Sequence, residues 1–180
     1  VIPLLVLLLI LPMSQAQSLG EALQECPSTL TGSTQPEQIH LQTTEDATEM
    51  TVVWATDRRT DAVVEWNGQS AEGQSYCYNH DMAFHLATMV GLVAGEEVTY
   101  RVGDGNTWSD EFTFNVIDPN ADTFEWIAIA DRGLSDEAQE VSDAILADST
   151  VQMVTISGDI SYANGDQSVW DEYFDVQEAS

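Results

Sequence analysis

The chain has 180 residues, room for one or two domains, and a hydrophobic fraction of 43% is enough to bury a core. Its charge is lopsided: 31 Asp and Glu stand against 4 Arg, with no Lys, for a formal charge of −27 at pH 7. A field of that sign repels nucleic-acid phosphates at long range, which argues against a polynucleotide partner; its plainest structural meaning is an acidic, soluble surface.

Residues Val1 to Leu11 form an apolar run broken only by Pro3, followed by small residues at Ser14-Gln15-Ala16. The run is too short to span a bilayer comfortably. It reads as a secretory signal over 1–16, with the mature chain starting near Gln17 and no stable membrane anchor. Secretion permits a disulfide between Cys26 and Cys77, although spacing alone does not show that the two meet. Residues 17–35, rich in Ser, Thr, Gln and Gly, read as a leader.

From Pro36 to about residue 117 the pattern is one of short alternating runs: 39–43, 50–55, 62–66, 84–89, 98–102 and 112–116. Asn67-Gly68, Gly95 and Gly103-Asp104-Gly105 punctuate them as turns. This predicts an all-β, antiparallel sandwich of the fibronectin type III kind, with Trp54 and Trp66 in its core. His40, His80 and His85 all fall within it, as surface or satisfied core residues. Asp118 to Asp122 is a polar break and the expected domain boundary. Beyond it, Phe124 to Ala130 and Val151 to Ser157 read as strands buried on both faces. The spacing predicts a helix over 135–147, with Ser135 as cap and Ala138, Val141, Ala144 and Ile145 inward. A second helix is predicted over 166–179, with Val169, Trp170, Tyr173 and Phe174 on one face. Strand, helix and strand in about thirty residues form a βαβ unit with parallel strands.

Both of these strands end in a carboxylate, Asp131 after the first and Asp159 after the second. Sites of open α/β sheets lie beyond the carboxyl ends of the strands. Adjacent strands are about 4.8 Å apart, so two such carboxylates can serve a pair of metals about 3.5–4 Å apart. Gly133 and Gly158 would let backbone pass close to the site. Tyr162, three residues beyond Asp159, can turn its phenol toward the same point, and a phenolate favours trivalent iron over magnesium or calcium. Each residue has an ordinary reading too: an Asp after a strand is a common turn former, and a Tyr packs. Arg132 either offsets charge or meets a phosphate, or forms a surface ion pair.

At these residues the chain resembles a known family. Gly158-Asp159-Ile160-Ser161-Tyr162 matches the GDxxY motif of purple acid phosphatases, continuing through Ala163-Asn164-Gly165, Trp170-Asp171 and Phe174. The segments 36–41, 50–54, 85–92, 100–105 and 108–112 resemble strands of that family's amino-terminal domain. The resemblance runs from Pro36 onward. It implies a fibronectin-like domain over 36–117 and, over 123–180, the amino-terminal part of a calcineurin-like metallophosphoesterase domain. It also implies a dinuclear centre that hydrolyses phosphate monoesters at acid pH, with Fe(3+) beside a divalent Fe, Zn or Mn. Carried over by motif, Asp131 would bind the ferric ion, Asp159 would bridge, and Tyr162 would bind the ferric ion and colour the protein.

Two departures qualify the match. The family's GDxG motif reads Ala130-Asp131-Arg132-Gly133 here, and no His follows Asp131. The histidines that complete the metal shells and protonate the leaving group are therefore missing, and no catalytic residue of the family falls in this segment. The expectation is a segment truncated at both ends, inactive alone, from a secreted enzyme acting on small phosphomonoesters. The rival is a secreted binding module with a degenerate phosphatase domain; Asn and His motifs downstream in a longer transcript would remove it. A different two-metal hydrolase, such as a nucleotidase or phosphodiesterase, fits Tyr162 less well.

Overall fold

The structure, a computed structural model, describes residues 31–77 and 82–178. The predicted signal, Cys26 and His80 lie outside them. Among the described residues ten strands and two helices follow in order. Strands β1 (Glu37–Thr43), β2 (Glu49–Thr56), β6 (Ala83–Val90) and β5 (Gln74–Cys77) make one antiparallel sheet in the order β1-β2-β6-β5. Strands β4 (Gln69–Glu72), β3 (Val63–Trp66), β7 (Glu97–Gly103) and β8 (Phe112–Asn115) make a second, in the order β4-β3-β7-β8. Period-two alternation turns one row of each sheet inward. Val52, Trp54, Ala87 and Met89 of the first meet Val64, Trp66, Val98, Tyr100 and Val102 of the second in one core. Trp54 and Trp66 are buried, as expected.

The alternating segments appear as strands close to their predicted bounds. The strands β4 and β5 were not predicted; both lie at sheet edges, β4 largely exposed and β5 half-buried, with Cys77 inward. Asn67 (φ 43°) and Gly68 (φ 80°) make the two-residue turn from β3 to β4, with both central residues left-handed as a hairpin of matching twist requires. Cys77 is buried and disulfide-bonded.

Beyond the polar break, β9 (Trp126–Ile129) and β10 (Met153–Ile156) pair in parallel around helix α1 (Asp136–Leu146), which is the predicted βαβ arrangement. Ser135 caps α1 by accepting from the Ala138 N–H, with Asp136 and Glu137 in its first turn. Two details differ from expectation. The strands alternate between exposed and half-buried instead of being buried on both faces, with Trp126 55% exposed; a two-stranded sheet leaves much of its surface uncovered. On α1 the buried residues are Ala138 and Ser142, while Val141 is exposed. Ser142, on the inward stripe, accepts from Arg132, which reaches across from the turn after β9.

Helix α2 (Gln167–Gln177), capped by Asp166, buries Tyr173 and stacks Trp170 on Phe174. It packs on the sandwich. Phe174 stacks on His40 of β1 at 5.2 Å. A bulge at the start of β1 puts Gln38 at φ 58°, and from there its backbone N–H donates to Glu178 Oε2 at 2.8 Å while its Nε2 donates to Asp175 Oδ1 at 3.0 Å. Three further carboxylates, Glu37, Asp57 and Asp171, are close by. Burial first, then Asp57, Asp175, Glu178 and Asp171, push the Glu37 carboxyl above its ordinary value. The joint is thus acidic on both sides and stitched by one neutral amide.

Candidate functional site

The carboxyl ends of β9 and β10 carry the chemistry-bearing residues. The ladder pairs Ile129 with Ile156 and continues through the Ser157 N–H to Ile129 O at 2.8 Å. Past it both chains turn sharply, and the turn residues are left-handed: Asp131 (φ 53°), Gly133 (φ 56°), Gly158 (φ 71°), Asp159 (φ 41°), Tyr162 (φ 55°) and Asn164 (φ 52°). Such conformations cost roughly 1–3 kcal/mol each for non-glycine residues and gather where a fold must aim particular side chains. A tyrosine there is the most unusual of the set.

The three residues singled out from sequence share one place. The Tyr162 phenol lies close enough to the Asp131 and Asp159 carboxylates for both to act on it. Its pKa is pushed above the ordinary phenol value, first by partial loss of solvent, then by the Asp131 carboxylate and by the charge of Asp159. Tyr162 remains 49% exposed, and both aspartates are exposed. The set is open to solvent and entirely of oxygen donors, which suits a hard cation. Among the described residues no group of three or more His, Cys, Asp and Glu could hold a metal. The donors present therefore fit part of a coordination shell and not a whole one.

Gly133 locks the two turns together. Its N–H donates to Ile160 O at 2.8 Å, and a methyl group at its Cα would sit 3.2 Å from the Tyr162 ring. Gly133→Ala is expected to cost about 1–2 kcal/mol from the left-handed backbone and to shift the ring; thermal denaturation and Tyr162 fluorescence would report both. Gly158 behaves differently. A methyl there meets no protein atom within 4 Å, and its backbone is held at φ 71°.

Arg132 is 5% exposed, donating to Gly133 O at 3.0 Å and to Ser142 on α1, so it is not a surface ion pair. Its Nε and the nearby Tyr173 hydroxyl are buried without a partner among the described residues, and its charge bears on the Tyr173 phenol. It acts as a staple between the first turn and α1. Sequence reasoning missed this staple and also the Gln38 joint; an arginine in so acidic a chain was the available signal for the first. A shallow groove of about 460 Å³, with Glu65, Trp66, Tyr100, Arg101 and Glu111 in its wall, holds none of the candidate residues.

Residues 36–116 match the family model described as the purple acid phosphatase N-terminal domain. A curated relative, acid phosphatase type 7 of Danio rerio, is 31% identical over 97 residues, covering 47% of this chain and 22% of that protein. The structure of the purple acid phosphatase from yellow lupin (Lupinus luteus) seeds superposes with a TM-score of 0.70 at 18% identity, over 83% of this chain and 34% of that one. At that identity the likeness shows the fold, over a share of the chain larger than the sandwich. The chain thus spans about a fifth of the curated relative and a third of the lupin structure.

Proposed function

Residues 36–116 belong to the purple acid phosphatase N-terminal domain family, and on that premise we propose that this chain supplies the amino-terminal part of a secreted acid phosphatase, a phosphoric monoester hydrolase with small-molecule substrates. The observation that carries the reading is the meeting of Asp131, Asp159 and Tyr162 on left-handed turns beyond two parallel strands. Residues 123–180 would be the start of the metallophosphoesterase domain. Asp131 and Tyr162 would hold Fe(3+), and Asp159 would bridge it to a divalent Fe, Zn or Mn.

When bound, such a pair supplies a hydroxide nucleophile and neutralises charge on the phosphoryl group. The chain's own residues prepare the place. The Tyr162 ring passes close over Gly133, with the Asp131 carboxylate acting on its phenol. The Gly133–Ile160 bond fixes the spacing of the two turns, and Arg132 ties the first of them to α1. Negative charge concentrated at Asp131 and Asp159 draws cations and keeps a phosphate ester away until a cation is bound.

The test is metal content and visible absorption of the full-length protein beside Tyr162→Phe and Asp159→Asn. About two metal ions per chain, iron among them, with a broad visible band that Tyr162→Phe abolishes and metal loss in Asp159→Asn, is the expected result. A colourless, metal-free full-length protein overturns the reading.

A further inference from the structure

His85, on β6, is fully buried and stacked on Trp54 at 5.3 Å. Each ring nitrogen meets a hydroxyl at 2.8 Å, Nε2 with Thr56 Oγ1 and Nδ1 with Ser75 Oγ. Both hydroxyls also reach carbonyls of a single connection, the stretch 57–62 that crosses from β2 in one sheet to β3 in the other. Thr56 Oγ1 donates to Arg58 O at 2.5 Å and Ser75 Oγ donates to Thr60 O at 2.7 Å. A hydroxyl carries one proton. With both protons committed to carbonyls, both ring nitrogens must donate, which only the imidazolium can do. A neutral ring has one N–H, so one hydroxyl must turn its proton to the bare nitrogen and release its carbonyl. The charged ring therefore satisfies four hydrogen bonds and the neutral ring three.

We propose that His85 is a proton-operated clamp on this crossover: neutral, it holds the connection through one hydroxyl at a time; protonated, it holds it through Thr56 and Ser75 together. The charged groups that bear on the ring come from two loops. Arg59 of the crossover opposes a proton, and Asp104, in the turn after β7, favours one; Trp54, Thr56 and Ser75 are neutral. Burial is the largest opposing influence, Arg59 adds to it, and the ring takes its proton only near pH 4. The same crossover carries Asp57, which accepts from the Ser33 N–H at 2.8 Å and whose charge bears on Glu37 at the joint with α2. The clamp thus grips a connection that touches both the core and the joint.

Nitrogen NMR of the imidazole in the full chain tests this. At neutral pH the wild type is expected to show both neutral tautomers. Thr56→Val should lock the Nδ1–H form, whose N–H donates to Ser75, and Ser75→Ala should lock the Nε2–H form, whose N–H donates to Thr56. Each variant should also bind the acidic proton about tenfold more weakly, the worth of one hydrogen bond. Thr56→Ser, which keeps the hydroxyl, should behave as wild type. A single tautomer unmoved by either substitution overturns the proposal, and so does an unchanged protonation midpoint in both variants. The tautomer measurement needs no acid, so unfolding at low pH leaves it decisive.

Discussion

Trp54→Ala should lower the stability of the sandwich by about 3–5 kcal/mol, the usual cost of emptying a large aromatic site in a packed core. Trp54 is 1% exposed, lies in the shared core of both sheets and carries the His85 ring on its face. Its neighbours Val52, Val64 and Met89 sit on strands held by ladders on both sides, so they cannot collapse into the space. Domains of this size hold only about 5–15 kcal/mol in total. Each kcal/mol moves the melting temperature of a domain this small by roughly 4–8 °C. Calorimetry of the variant would show the shift; a change of only a few degrees would mean that the core repacks.

The second large effect is acid sensitivity. The unfolded imidazole of residue 85 takes its proton near pH 6.5 and the folded one near 4. Between those values the unfolded state binds the extra proton, and stability falls as pH drops, by about 3 kcal/mol in all. His85→Phe keeps an aromatic on Trp54, leaves Thr56 and Ser75 bonded to their carbonyls and should remove this loss. Glu37 works in the opposite sense. Its raised pKa makes the joint with α2 firmer below the ordinary carboxylate range and weaker as pH rises through the raised value. Urea titrations of the wild type and His85→Phe at pH 7, 5.5 and 4.5 would separate the two. Parallel losses in both proteins would place the acid-labile group elsewhere.

Much of the architecture was legible because burial imposes a period. The inner strands β2, β6 and β7 alternate apolar residues that meet across the core, and the βαβ order follows from a helical stripe between two apolar runs. The edge strands β4 and β5 were not legible, since Gln69-Ser70-Ala71-Glu72 turns only Ala71 toward the core and polar edges serve to discourage further pairing. The candidate site was legible as residue types after strands; its left-handed backbone was not, because Asp131, Asp159 and Tyr162 carry no mark of φ. Gln38 is harder still. Nothing local separates a glutamine that bonds across a joint to Asp175 and Glu178 from any other surface amide.

The placement of the four arginines has a practical consequence. Arg101 lies in β7, paired with Glu65 and packed over Trp108 at 4.4 Å, and Arg132 is buried. Arg58 and Arg59 alone stand exposed, side by side on the crossover between the sheets. With no lysine in the chain, trypsin has one place to cut the native fold. Brief digestion should nick the chain there into two pieces that still co-elute, held by the β2–β6 ladder, the stacking of Phe174 on His40 and the shared core. Cleavage after Arg101 or Arg132 then becomes a direct readout of unfolding, and the ratio of the two patterns follows the folded fraction without any added label.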